Sequence, residues 1–190
     1  MSFDKQKAEA SKKNLQNADL KNADLQEADL SEGILIEACL ENCNLSEADL
    51  CGTDISGANL KNARLHRTVL YRCRGKEVDF SNAVLTQANL VEANLSGANF
   101  THANLMESNI EGANLTNACF KDANLSEVNL TGVFLTNADL SGANFTNSEC
   151  IAADLVGCDL TGANLHNTYL NHADLSGANL KSALNLTSDQ

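Results

Sequence analysis

Every fifth residue of this chain is apolar, and the register does not slip between Leu15 and Leu180. Of the 34 positions in that series, only Gly75 and Cys150 are not Leu, Ile or Phe. Two residues before each beat the side chain is small: Ala18, Ala23, Ala28, then Gly33, Ala38 and Cys43, later Val128, Val133 and Ser148. The residue just before the beat is usually Asp or Asn, as in Asp19, Asp24, Asn99 and Asn104. A helix buries residues at a period near 3.6 and a strand at a period of two, so a sustained period of five fits neither. An α-helix would carry such a row continuously around its axis and form no apolar face. Fixed self-similarity instead marks a solenoid in which each unit stacks on the next.

The small residue and the beat are two apart, so in an extended segment both point to one side. The other three residues face solvent or turn a corner. Nine of the eleven glycines lie two after the beat, and Asn17, Asn22, Asn62 and Asn137 share that slot. Both residue types tolerate positive φ, so each pentapeptide reads as one side of a polygon plus its corner.

The chain resembles the pentapeptide repeat proteins, whose motif runs small, Asp or Asn, Leu or Phe, polar, variable. Ala18 to Asn22 and Ala93 to Gly97 match it residue for residue. The resemblance implies an all-β solenoid: a right-handed quadrilateral β-helix with four pentapeptides per square coil, about 8–9 coils in all. Residues 20 apart then share a column, with about 4.8 Å between coils. This divides the chain into a short N-terminal helical cap or tail over 1–13, one β-helix over 14–183, and a tail over 184–190. Phe3 to Lys13 lacks the beat and looks helical, with Asp4 as its N-cap. The columns predict an amide ladder through Asn22, Asn42, Asn62 and Asn82. They also predict an aromatic stack of Phe80, Phe100 and Phe120 in the core.

The formal charge is −12. The first thirteen residues carry +2 and the rest −14. A rod this acidic stays soluble and repels nucleic acid, so no direct nucleic-acid binding is expected. No stretch is long and apolar enough to span a membrane, and the polar N-terminus lacks the apolar run of a secretory leader. Seven cysteines, an odd number, point to a reducing cytoplasm. Cys43, Cys73, Cys150 and Cys158 fall in inward slots as small hydrophobes; Cys39, Cys51 and Cys119 face outward.

The column map offers no catalytic constellation. His66 and His166 share a column but are five coils apart, about 24 Å. No Cys or His spacing matches a metal site, and no Gly-rich loop or insertion could enclose a substrate. The sequence therefore reads as a non-enzyme without cofactor or metal.

What remains is where the repeat breaks. All four arginines, Arg64, Arg67, Arg72 and Arg74, fall within eleven positions, with Val69 and Tyr71 replacing polar residues and Gly75 removing a beat. Residues 64–77 carry +4. Two readings stay open: a divergent coil, with a core defect at Gly75, whose arginines pair with acidic columns above and below, or a partner-binding belt made of Arg64, Arg67, Tyr71, Arg72 and Arg74. At the C-terminal end Leu184 and Leu186 are candidate contacts for an end-to-end homodimer, because an open solenoid exposes its core. Two functional classes fit. One is a rigid scaffold for an unidentified protein partner. The other comes from the resemblance, since some relatives are acidic dimeric rods that mimic duplex DNA and bind DNA gyrase; the arginine belt interrupts such a surface.

Overall fold

The computed structural model describes residues 5–185. From Asp19 with Cys39 to Asn164 with Leu184, every fifth residue forms a parallel bridge to the residue twenty further on. Four pentapeptides therefore make one coil, and each coil lies on the last in unbroken register. The corner residue two after each beat, from Asn17 to Ser182, has positive φ. Glycine fills nine of these corners; the others are mainly Asn and Glu, with Arg67, Arg72, His102, Ala152 and His172 among the exceptions.

The five-residue unit closes because each of its N–H groups has a partner. Leu20 N–H donates to the Cys39 carbonyl at 2.8 Å and Asn22 N–H to Glu41 at 2.9 Å, both in the next coil. Ala23 N–H turns back to the Leu20 carbonyl at 3.0 Å, while Asn44 N–H reaches the Ala23 carbonyl one coil behind at 3.0 Å. The fifth group, on the residue after the beat, is satisfied by the Asp or Asn before the beat. Its side-chain Oδ1 accepts that N–H at every Asp and Asn in this slot from Asp19 to Asn179. Paired backbone donors are what a coil without long strands needs, and the Asx turn explains why the slot favours these two residues.

The beat and small rows fill the interior. Beats from Leu15 to Leu165 are at most 2% exposed, and Phe80, Phe100 and Phe120 stack at 5.0 and 4.6 Å between ring centroids. Cysteine and threonine in the small slot stay inward by donating to a carbonyl one coil back. Cys43 Sγ bonds the Leu20 carbonyl, and Thr53 and Thr68 Oγ1 bond those of Leu30 and Leu45, each at 2.7 Å. The expected amide ladder forms from Asn42 to Asn22 and from Asn62 to Asn42 but does not extend to Asn82. A second ladder climbs through Asn104, Asn124, Asn144 and Asn164.

Gly75 is not the core defect its sequence slot suggests. A Cβ there would lie 2.7 Å from Leu95 Cδ2 and 3.1 Å from Ile55 Cγ1. The beats one coil above and below already occupy the space.

At the N-terminal end, helix α1 spans Lys5–Ala10 and a 3-10 turn follows over Lys12–Asn14. This is shorter than the Phe3 to Lys13 helix expected, and the Phe3 and Asp4 assignments lie outside the described residues. Ala8 is fully buried, Glu9 Oε1 accepts the Asp29 N–H at 3.0 Å, and the Lys12 carbonyl accepts the Ile34 N–H at 2.7 Å. The segment thus supplies acceptors that a preceding coil would otherwise supply. Lys12 Nζ bonds Asp29 at 2.7 Å and holds it there.

Candidate functional site

The arginine coil holds the longest run of departures from the Asx turn that closes most sides. Arg64, Val69 and Arg74 take the slot before the beat on three consecutive sides, so none can form the Asx turn. The N–H groups of His66, Tyr71 and Lys76 are left to solvent. The five belt residues wrap more than one side: Arg64 and Arg67 flank one beat, Tyr71 and Arg72 follow the next, and Arg74 opens the third. Tyr71 is half-buried and lies under its neighbour, with the Arg72 guanidinium carbon 4.8 Å from the ring centroid.

The two open readings each describe part of this coil. Arg72 Nε pairs with Glu92 at 2.6 Å, and Arg74 Nε pairs with Asp54 at 3.2 Å. The Glu92 hydrogen bond and charge raise the Arg72 pKa further. Partial burial pushes the Asp54 carboxyl up, but hydrogen bonds from Ser56 and Arg74 outweigh it and hold the pKa below its ordinary value. Arg67 is different: its Nε donates to neutral Gln87 at 2.9 Å, and Gln87 passes the chain on to Glu107 at 2.7 Å. Arg64 is exposed and makes no ion pair among the described residues. Two guanidinium charges therefore stay unmatched by contact.

Nothing in the described part gathers chemistry of another kind. His66 Nδ1 and Thr86 Oγ1 are 2.9 Å apart, a hydrogen bond along a column. No group of three His, Cys, Asp or Glu among the described residues could hold a metal ion. Burial pushes the Cys43 and Cys158 thiols up to about 11 and those of Cys73 and Cys150 up to about 12, so they are poor nucleophiles. No helix among the described residues is long and apolar enough to cross a membrane.

At the C-terminal end, burial falls away from one side to the next within the last coil. Leu170 is 8% exposed, and Leu175 and Leu180 are only partly buried. Leu184 continues the ladder: its N–H donates to the Ala163 carbonyl at 2.8 Å and its carbonyl accepts from Leu165. Its side chain points outward and is 56% exposed. Leu186 lies outside the described residues. A further apolar feature, Phe134, is 51% exposed in a slot where Asp or Asn is usual. The column of bare corners beside it, Gly112, Gly132 and Ala152, was visible in the sequence but not connected with it.

The family model for pentapeptide repeats matches in 8 copies, over segments that together run from 11 to 74 and from 79 to 187. The chain belongs to the pentapeptide repeat family. Membership gives the coil a right-handed β-helix, and the only internal stretch left unmatched, 75–78, begins at Gly75. No curated protein matches the chain. Among solved structures it is similar to HetL, a pentapeptide repeat protein involved in heterocyst differentiation regulation from the cyanobacterium Nostoc sp. strain PCC 7120. That match has 31% identity over 88% of this chain and 83% of HetL, with a TM-score of 0.47. Rfr23 from the cyanobacterium Cyanothece 51142 is 36% identical over 45% of this chain and 58% of its own, at a TM-score of 0.45. QnrB1, a plasmid-mediated fluoroquinolone resistance protein, is 20% identical over 88% of this chain and 84% of its own, also at 0.45.

Proposed function

We propose that this pentapeptide repeat protein is a rigid, non-enzymatic scaffold that binds a protein partner through Arg64, Arg67, Tyr71, Arg72 and Arg74. One observation carries the reading: three consecutive sides forgo the Asx turn, and they do so in the coil that holds all four arginines. Local rules broken on a surface without compensation are expected at functional sites. Arg64 and Arg67, free of ionic partners, are the residues available to an acidic patch on another protein, with Tyr71 as an aromatic anchor. The helix Lys5–Ala10 acts as the cap of the first coil. Seven free thiols suit a reducing compartment, and the reading takes the cytoplasm as that compartment. The test is quantitative cross-linking capture with wild type and an Arg64→Glu/Arg67→Glu variant of equal thermal stability. Loss of a partner in the variant supports the belt; an identical partner set refutes it.

The acidity favours a second reading. Residues 78–185 hold eleven Asp and Glu against two Lys, a net −9. A rod with that surface suits duplex-DNA mimicry toward DNA gyrase or another topoisomerase, with the exposed Leu184 end meeting a second copy. A gyrase supercoiling assay with and without a quinolone decides it, and no effect at micromolar protein retires the mimic. Sedimentation that finds only monomer at high concentration removes the dimer.

A further inference from the structure

The corner column that carries Arg72 and Glu92 becomes bare over the next three coils. Gly112, Gly132 and Ala152 follow in line at φ 63, 62 and 53. A Cβ added at Gly132 would meet nothing within 4 Å, and one at Gly112 only Glu92 Cγ at 3.9 Å. Most other corners carry a polar side chain. Beside this cleared edge Phe134 stands half out of the surface. In the same column Asn94 and Asn114 are short, so the wall of Phe134 overlooks a floor. Glu92, Asn94, Gly112, Asn114, Phe134 and Thr136 are among the residues that line the resulting open depression of about 390 Å³.

The chemistry of the lining selects an occupant. Phe134 offers an accessible aromatic face. Glu92 stands at one end of the depression, its carboxylate already paired with Arg72 at 2.6 Å. Asp154 follows Phe134 one coil on, about 4.8 Å away, its Oδ2 accepting from Thr136 Oγ1 at 2.7 Å. The Oδ1 atoms of Asn94 and Asn114 are used by the Ser96 and Thr116 N–H groups, which leaves their Nδ2 groups as outward donors. On the opposite side of the coil such Nδ2 groups are spent on the Asn104–Asn164 ladder; here Asn114 does not bond Asn94. An aromatic face beside a carboxylate suits a guanidinium, and amide donors suit peptide carbonyls. The net −9 of this half of the rod excludes an acidic segment and draws a basic one. The depression is too open to enclose a small molecule.

We propose that this groove is a docking site for an extended, arginine-bearing segment of a protein partner, with the guanidinium laid over Phe134 beside Asp154. The inference rests on the scaffold reading but uses a face and a charge preference separate from those of the Arg64 and Arg67 pair. The experiment titrates uniformly ¹⁵N-labelled full-length protein with a blocked glycyl-arginyl-glycine peptide and with its neutral citrulline counterpart. Amide shifts confined to Gly112, Asn114, Gly132 and Phe134, saturating in the millimolar range, are expected. The citrulline peptide and a Phe134→Ser variant of unchanged thermal midpoint should each weaken binding by about fivefold or more. The Arg64→Glu/Arg67→Glu variant should leave the titration unchanged, so failure of the belt and failure of the groove are separable. Equal binding of the citrulline peptide, equal shifts at acidic corners such as Glu27 and Glu47, or an unaffected Phe134→Ser variant each overturn the proposal.

Discussion

Restoring leucine at position 75 should weaken this protein, although every neighbouring repeat argues for it. A Leu buried in a waiting space would contribute about 2 kcal/mol by apolar area. Gly75 does not adopt positive φ, so no backbone strain opposes the change, and the reduced freedom of the unfolded chain would by itself favour a side chain by about 0.4–1 kcal/mol. The space, however, is taken. The first carbon of the new side chain would sit 2.7 Å from Leu95 Cδ2 and 3.1 and 3.3 Å from Ile55 Cγ1 and Cδ1. Carbon atoms rest at about 3.5–4.0 Å. Leu95 must then leave its rotamer inside a closed core, and the rest of the leucine has nowhere to go. Overpacking of this kind costs about 1–3 kcal/mol.

Equilibrium urea unfolding followed by circular dichroism should therefore give Gly75→Leu a lower midpoint than wild type. Leu95→Ala alone should cost about 2–5 kcal/mol. Combined with Gly75→Leu it should cost less than the sum, with a coupling of about 1–3 kcal/mol, because the new leucine fills what Leu95 vacates. A Gly75→Leu protein more stable than wild type, or strict additivity in the pair, would refute the packing argument and reinstate a true hole in the column.

Ser108 Oγ is the one buried side-chain polar atom without a hydrogen-bond partner among the described residues, so Ser108→Ala should gain about 1 kcal/mol in the same assay. Thr68→Ala should lose stability, because Thr68 Oγ1 is bonded to the Leu45 carbonyl at 2.7 Å. Native protein at pH 8 should react with a thiol reagent first at half-buried Cys39, Cys51 and Cys119. Cys43, Cys73, Cys150 and Cys158 should react only on unfolding, as mass spectrometry of the labelled peptides would show. The Asp29 carboxyl is lowered to about 2 by hydrogen bonds from Lys12 and Ser31. Its hold on the N-terminal segment is present above the ordinary Asp range near 4 and is lost as pH falls through about 2. Hydrogen exchange at Ala8 and Ser31 should accelerate in that window, and Asp29→Asn should remove the step.

The sequence was most informative where each residue type answers to one geometric demand. A period of five with a small residue two before the beat dictates inward rows. Glycine and asparagine two after it mark the corners. The Asp and Asn before the beat were equally regular, yet their purpose depends on a turn whose N–H is otherwise unpaired, and only coordinates supply that. Gly75 was misread for a related reason: a column of letters shows a missing side chain but not the volume that Ile55 and Leu95 take up. The belt was legible as composition, whereas the division between paired Arg72 and Arg74 and unpaired Arg64 and Arg67 depends on which neighbours are acidic and reach far enough. The groove escaped notice because its glycines were read only as corner formers, and not as a row of absent side chains beside Phe134.

Exceptions to the repeat fall into two kinds, and the difference bears on function. In the core most exceptions are compensated nearby, Ser108 Oγ being the unpaired one among the described residues. Gly75 is filled from above and below, and Cys43, Thr53, Thr68 and Cys158 each donate to a carbonyl one coil back. Such compensation needs no explanation beyond folding. On the surface ten sides lack the Asp or Asn before the beat, Arg64, Val69, Arg74 and Phe134 among them, and the N–H after each beat there loses its Asx acceptor. Each substitution forgoes a hydrogen bond of about 0.5–1.5 kcal/mol, and none gains core packing in return. Folding alone would have replaced them with the Asp or Asn that 23 other sides carry. Three such sides in a row occur only in the arginine coil, and that run is what singles it out as the surface to test for binding.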